Sequence, residues 1–129
     1  MLRLATAARG KGLTFIDCPV TGRPDAAAAG KLTLLVGAEP ADLERARPLL
    51  APLSEKIRHM GPVGQGTGYK LMINLMGAVQ IAALAEGLAL CDRLGLDRMA
   101  VMDAIADSAA ASRQVVYHVR RMANGDYAD

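Results

Sequence analysis

Apolar positions change their rhythm halfway along this chain. In the first half they come in short bursts bounded by Gly or Pro: Leu13–Cys18 (LTFIDC), Lys31–Gly37 (KLTLLVG) and Lys56–Met60 (KIRHM), a strand pattern. Between the last two, Glu39-Pro40-Ala41-Asp42 puts proline and acids into a first helical turn. Leu43, Ala46, Leu49 and Leu50 come next at helical spacing, and Pro52 is expected to end that helix. Leu2–Ala8 reads as the last turns of another helix, stopped by Gly10 and Gly12, and PVTGRPDAAAAG (19–30) reads as a loop.

In the second half the bursts give way to one long run. From Leu71 to Cys91 almost every residue is apolar, interrupted only by Gly77 and Gly87, so a single helix over about 66–93 is predicted. Gly95 breaks it. Asp97 then caps a helix over 97–107, and Ser112 caps another over 112–123 with Val115, Val116, Val119 and Met122 on one face. Asn124-Gly125 stops the last helix before the polar end GDYAD. The pattern is therefore α/β in the first half and all-α in the second, joined by one long helix.

A chain of 129 residues is long enough for one domain with a real core. Hydrophobic residues make up 52% but aromatics only 3%, so Ala, Leu, Val, Ile and Met must build that core. Fifteen basic against thirteen acidic residues leave a net charge of +2, and no basic run or aromatic ladder points to nucleic acid. Cys18 and Cys91 lack metal-ligand spacing and read as reduced core thiols of a cytoplasmic protein. No metal site is expected. Asn74, Gln80 and Glu86 interrupt the long apolar helix, which argues for burial within protein rather than within a membrane. A helix apolar nearly all round needs cover on every side, and only two short helices and a polar end lie beyond it. The chain is accordingly expected to be incomplete or to finish its core with a partner.

The candidate chemistry lies at the entry to that helix, GPVGQGTGYKLMIN (61–74). Gly61, Gly64, Gly66 and Gly68 let the backbone turn tightly or approach a ligand. A phosphate-binding P-loop would need Lys and Ser/Thr directly after its last glycine, and the dinucleotide fingerprint needs G-x-G-x-x-G; neither fits here. Two readings stay open: an anion-friendly helix N-terminus with outward-facing amides, or a turn that permits close helix packing. Lys70 and Asn74, four apart, share one helix face. A lysine at a helix end is ordinarily solvated, but the residues after this one show no solvated face, and a half-buried lysine suits proton transfer. Asn74 reads equally as a core amide or a ligand. His59 and His118 have no partner visible in sequence and receive no role.

Three stretches, in order, carry a resemblance: Asp17-Cys18-Pro19-Val20-Thr21-Gly22, then Gly30–Gly37, then Gly64–Asn74. They resemble the β-hydroxyacid dehydrogenase family, the 3-hydroxyisobutyrate and 6-phosphogluconate dehydrogenase superfamily, over nearly the whole chain. The resemblance implies that Lys70 is the catalytic lysine and that Asn74, Thr21 and Gly22 bind substrate. It also places Gly64 and Gly66 beside the cofactor, NAD or NADP. Arg23 stands where the family usually has a second glycine, so it either clamps an acidic group or is solvated. By resemblance, residues 1–63 would be the end of a Rossmann-type domain, and 64–129 the interdomain helix and the start of a helical domain. The family's G-x-G-x-x-G unit does not occur in this sequence, so the chain is expected to be an internal piece that is inactive alone. The expected activity is NAD(P)-dependent oxidation or reduction of a small 3-hydroxy acid or semialdehyde, in a homo-oligomer formed through the long helix. An imine-reductase-like enzyme and a non-catalytic helical oligomerisation module are the alternatives; Lys70 argues against the first.

Overall fold

The structure, a computed structural model, describes residues 1–126; Tyr127–Asp129 of the polar GDYAD end lie outside the described residues. Its elements are α1 (Leu2–Arg9), β1 (Val20–Thr21), α2 (Pro24–Ala28), β2 (Leu32–Gly37), α3 (Pro40–Leu50), β3 (Ser54–Gly61), α4 (Gln65–Arg93), α5 (Arg98–Ala106) and α6 (Arg113–Ala123). The chain divides into two compact units, Met1–Ile73 and Asn74–Asp129, so α4 begins in the first and continues into the second.

In the first unit β2 is the central strand of three, antiparallel to β1 and parallel to β3. The run Leu34-Leu35-Val36-Gly37 is buried throughout, as a strand covered on both faces requires. Leu34, Val36, Ala38 and Leu43 form the core, with Ile16, Cys18, Leu32, Leu50 and Ile57 packed around them. Leu43 comes from α3, which starts at Pro40, carries Asp42 in its first turn and connects two parallel strands. A 3-10 turn over Ala51–Leu53 contains Pro52 and ends α3 as expected, and the Ser54 hydroxyl donates to the Leu50 carbonyl at 3.1 Å.

The expected strand over 13–18 is not a strand. Only Asp17 pairs, in an isolated antiparallel bridge to Gly37, and the next bond to β2 runs from Leu35 N–H to the Pro19 carbonyl at 2.9 Å. Pro19 has no N–H to give, which interrupts the ladder between this bridge and β1. The expected loop 19–30 likewise holds β1 and the short helix α2, started by Pro24 and Asp25.

The second unit has its own core of Leu84, Val115 and Val119, with Leu88, Met102, Ile105 and Met122 against it. The two predicted caps are in place. Asp97 accepts from Ala100 N–H at 2.8 Å, and the Ser112 hydroxyl accepts from Val115 N–H at 3.1 Å. The Ser112 hydroxyl also donates to Gln80 Oε1 at 2.6 Å, tying α6 to α4.

The cover that α4 needs on every side is lacking among the described residues, the shortfall expected from the two short helices that follow it: Leu71 and Leu75 are each 65% exposed, and Met76 and Val79 lie open beside them. By length and composition alone α4 could cross a membrane, its best window having a mean hydropathy of 1.6.

Candidate active site at the start of the long helix

The first turn of α4 is built around a buried acid. Asp17 is 1% exposed, and its carboxylate accepts from Gly64 N–H at 2.6 Å and from Thr67 N–H at 2.7 Å. Two of the amides that a helix start leaves without partners are thereby satisfied, and the carboxylate sits where the helix dipole favours negative charge. Gln65 N–H donates to the Pro62 carbonyl at 3.0 Å. The amides of residues 64, 65 and 67 are therefore directed at groups of the chain itself.

Gly66 shows why the entry is glycine-rich. A Cβ at that position would collide with the Leu35 carbonyl oxygen and crowd the Gly37 amide and the Asp17 carboxylate. A Cβ at Gly37 would collide with the same carboxylate. α4 can therefore start directly against β2 only because both positions are bare. Of the two open readings, close packing accounts for Gly66.

Lys70 is half-buried, one turn beyond Thr67, and Asn74 is exposed one turn further along α4. Thr21 is half-buried on β1, paired across the strands with Thr33. It lines a cavity of about 400 Å³ together with Arg58, Met60, Tyr69 and Ile73. Tyr69, the neighbour of Lys70, thus shares a cavity with Thr21, whereas Lys70, Gly22 and Arg23 are not among its lining residues. Gly22 has φ +147°, a conformation that side-chain-bearing residues rarely adopt, and Arg23 is the exposed residue that precedes α2. The Cys18 thiol is pushed up from its ordinary range, first by burial and then by the Asp17 charge, which makes it a poor nucleophile. His59 Nε2 lies 2.8 Å from the Ala38 carbonyl, a contact that pins the end of β3 if that nitrogen carries the proton. No cluster of three or more His, Cys, Asp or Glu side chains able to hold a metal occurs among the described residues.

Residues 1–61 match the family described as the NAD binding domain of 6-phosphogluconate dehydrogenase. Residues 64–129 match the NAD-binding region of NADP-dependent 3-hydroxyisobutyrate dehydrogenase. The chain belongs to the β-hydroxyacid dehydrogenase family. An uncharacterised oxidoreductase of Synechocystis is 37% identical over 125 residues, which is 97% of this chain and 43% of that protein. The crystal structure of 3-hydroxyisobutyrate dehydrogenase from Salmonella typhimurium superposes with a TM-score of 0.80 at 28% identity, covering 97% of this chain and 44% of that one. Mycobacterium tuberculosis 3-hydroxyisobutyrate dehydrogenase with L-serine gives 0.80 at 35% identity, covering 88% and 39%. The chain thus spans less than half the length of these relatives.

In the sequence alone, Asp17 stands within a motif and shows no task of its own. Its partners lie 47 and 50 residues downstream, so no local spacing connects them. The only local signal is an acid inside an apolar stretch just before Cys18-Pro19. Arg58 on β3 is equally silent, since nothing in its sequence neighbourhood distinguishes it from a solvated strand residue.

Proposed function

We propose that this chain supplies the proton-transfer and substrate-binding residues of an NAD(P)-dependent dehydrogenase acting on a small 3-hydroxy acid or the corresponding semialdehyde. The observation that carries the reading is Lys70: a half-buried lysine on a helix whose first turn is pinned to the sheet by Asp17 and the bare Gly66. Family membership supplies the reaction class.

In the oxidative direction the Lys70 amine takes the hydroxyl proton while the carbinol carbon gives up hydride, leaving a carbonyl and a lysine ammonium. Bound NAD or NADP supplies the hydride acceptor. In the reductive direction the ammonium returns the proton to the forming alkoxide. Asn74, four residues on, donates an amide hydrogen bond to substrate. The Thr21 hydroxyl and the Gly22 N–H hold the carboxylate, with Arg23 adding positive charge beside them. The Gly64–Gly66 entry borders the cofactor, Gly66 contributing by letting α4 close on β2.

The protein in this reading is cytoplasmic and dimeric or higher, and uses neither nucleic acid nor a membrane. The exposed apolar residues of α4 are the surface that a second copy covers. That same surface is what favours the second reading, a helical oligomerisation module without catalysis.

The sequence contains no G-x-G-x-x-G motif, so the assay supplies one. Residues 1–129 replace the matched segment of the Mycobacterium tuberculosis enzyme, and the graft is offered 3-hydroxyisobutyrate with NAD+ or NADP+. Substrate-dependent formation of NADH or NADPH is expected. A folded graft that binds the dinucleotide yet oxidises no 3-hydroxy acid would sink the proposal and leave the oligomerisation module.

A further inference from the structure

We infer that Asp17 is a positioning residue for Lys70: it sets where α4 starts, and hence which way the lysine faces. The inference rests on the role proposed for Lys70. One buried residue holds three pieces of chain. Its backbone exchanges two hydrogen bonds with Gly37 at the end of β2, Asp17 N–H to Gly37 O at 3.1 Å and Gly37 N–H to Asp17 O at 2.8 Å. Its side chain takes the Gly64 amide of the entry loop and the Thr67 amide of the first helical turn.

The surroundings are shaped to the carboxylate. Gly37 and Gly66 are the two positions where a Cβ would run into it or into the strand backbone beside it. A buried carboxylate costs free energy unless its oxygens are satisfied, and here both are satisfied by amides that belong to the start of α4. The arrangement fixes helical phase as well as helix existence. Consecutive residues turn by about 100° around an α-helix, so a start displaced by one residue would swing Lys70 through roughly a quarter of the circumference. Thr67 and Lys70 are three apart, near neighbours on the same face. An ordinary N-cap would stabilise the helix and leave the direction of Lys70 indifferent.

The test measures Lys70 directly, without turnover. Trace acetic anhydride labels the lysines of this chain competitively, and mass spectrometry of the digest gives each rate, with Lys11, Lys31 and Lys56 as internal references. In Asp17→Asn, which keeps the shape but replaces one acceptor oxygen with an amide donor, the Lys70 rate is expected to change severalfold while the references hold. Ser112→Ala removes the cap of α6 instead and is expected to leave Lys70 unchanged. In the graft, Asp17→Asn is expected to lower kcat by about 10²-fold, the scale of a small misplacement of a reacting group, with KM for the dinucleotide unmoved.

Folded Asp17→Asn with wild-type Lys70 labelling would overturn the inference, as would an equal change in Ser112→Ala. Should Asp17→Asn fail to fold, amide exchange of the unmutated chain decides. Gly64 and Thr67 amides are expected to be strongly protected, and rapid exchange at Thr67 would refute the anchoring. A Lys70→Ala graft that keeps its turnover would remove the proposed catalysis and leave the labelling result standing, so the two failures are separable.

Discussion

β2 and the exposed flank of α4 are made from the same kinds of residue and meet opposite fates. Val36 is fully buried in β2, whereas Leu71 and Leu75 on α4 are 65% exposed. The difference lies in what the chain provides around each. β2 has a strand on either side and α3 packed through Leu43, all from the same unit. α4 receives Leu84 contacts from α6 in the second unit, but its flank around 71–79 meets no such cover among the described residues. Apolar composition states a need for burial, and neighbouring elements decide whether it is met. Lys70 sits where the need is met, on the helix start fastened to β2, and Asn74 is already exposed one turn further along. The association candidates sit where it is not.

The comparison predicts unequal responses to substitution. Leu34→Ala empties a packed site and should destabilise the first unit by about 2–5 kcal/mol, read as the loss in unfolding free energy by chemical denaturation. Leu75→Gln, at a position just as apolar, should change folding stability by no more than about 0.5 kcal/mol. Its effect should appear in sedimentation instead: the parent chain self-associates and the variant sediments as a smaller species. A monomeric parent would erase the distinction, and a Leu75→Gln variant as unstable as Leu34→Ala would show that α4 is covered after all.

What the sequence disclosed obeys the same division between local and distant causes. The α5 and α6 starts were legible because Asp97 and Ser112 cap amides three residues on. The α3 start was legible from Pro40 and Asp42 within one turn. α2 carried the same signals, Pro24 and Asp25 before an alanine run, but a stretch so rich in turn residues masked them. The stretch 13–18 has a strand's composition, yet Pro19 interrupts its pairing to β2. At the site, Lys70 and Asn74 could be placed on one face because helical spacing is local. The anchor Asp17 could not, since its carboxylate meets Gly64 and Thr67 only after the chain has folded β2, α3 and β3. That α4 would lack cover was legible, since only two short helices and a polar end follow it; which flank stays open was not, because composition says nothing of a helix's neighbours.

The most direct test of the account compares two variants of the graft at positions five residues apart on α4. Lys70→Ala lies at the anchored start, and Leu75→Gln lies on the open flank. With saturating 3-hydroxyisobutyrate and dinucleotide, Lys70→Ala should lower kcat by about 10²–10⁴-fold, the range for loss of a general acid–base group, with KM for the dinucleotide little changed. Leu75→Gln should retain the parental kcat once assembly is controlled for by concentration. A Lys70→Ala graft that folds and turns over like its parent would contradict the claim that the start of α4 carries the chemistry.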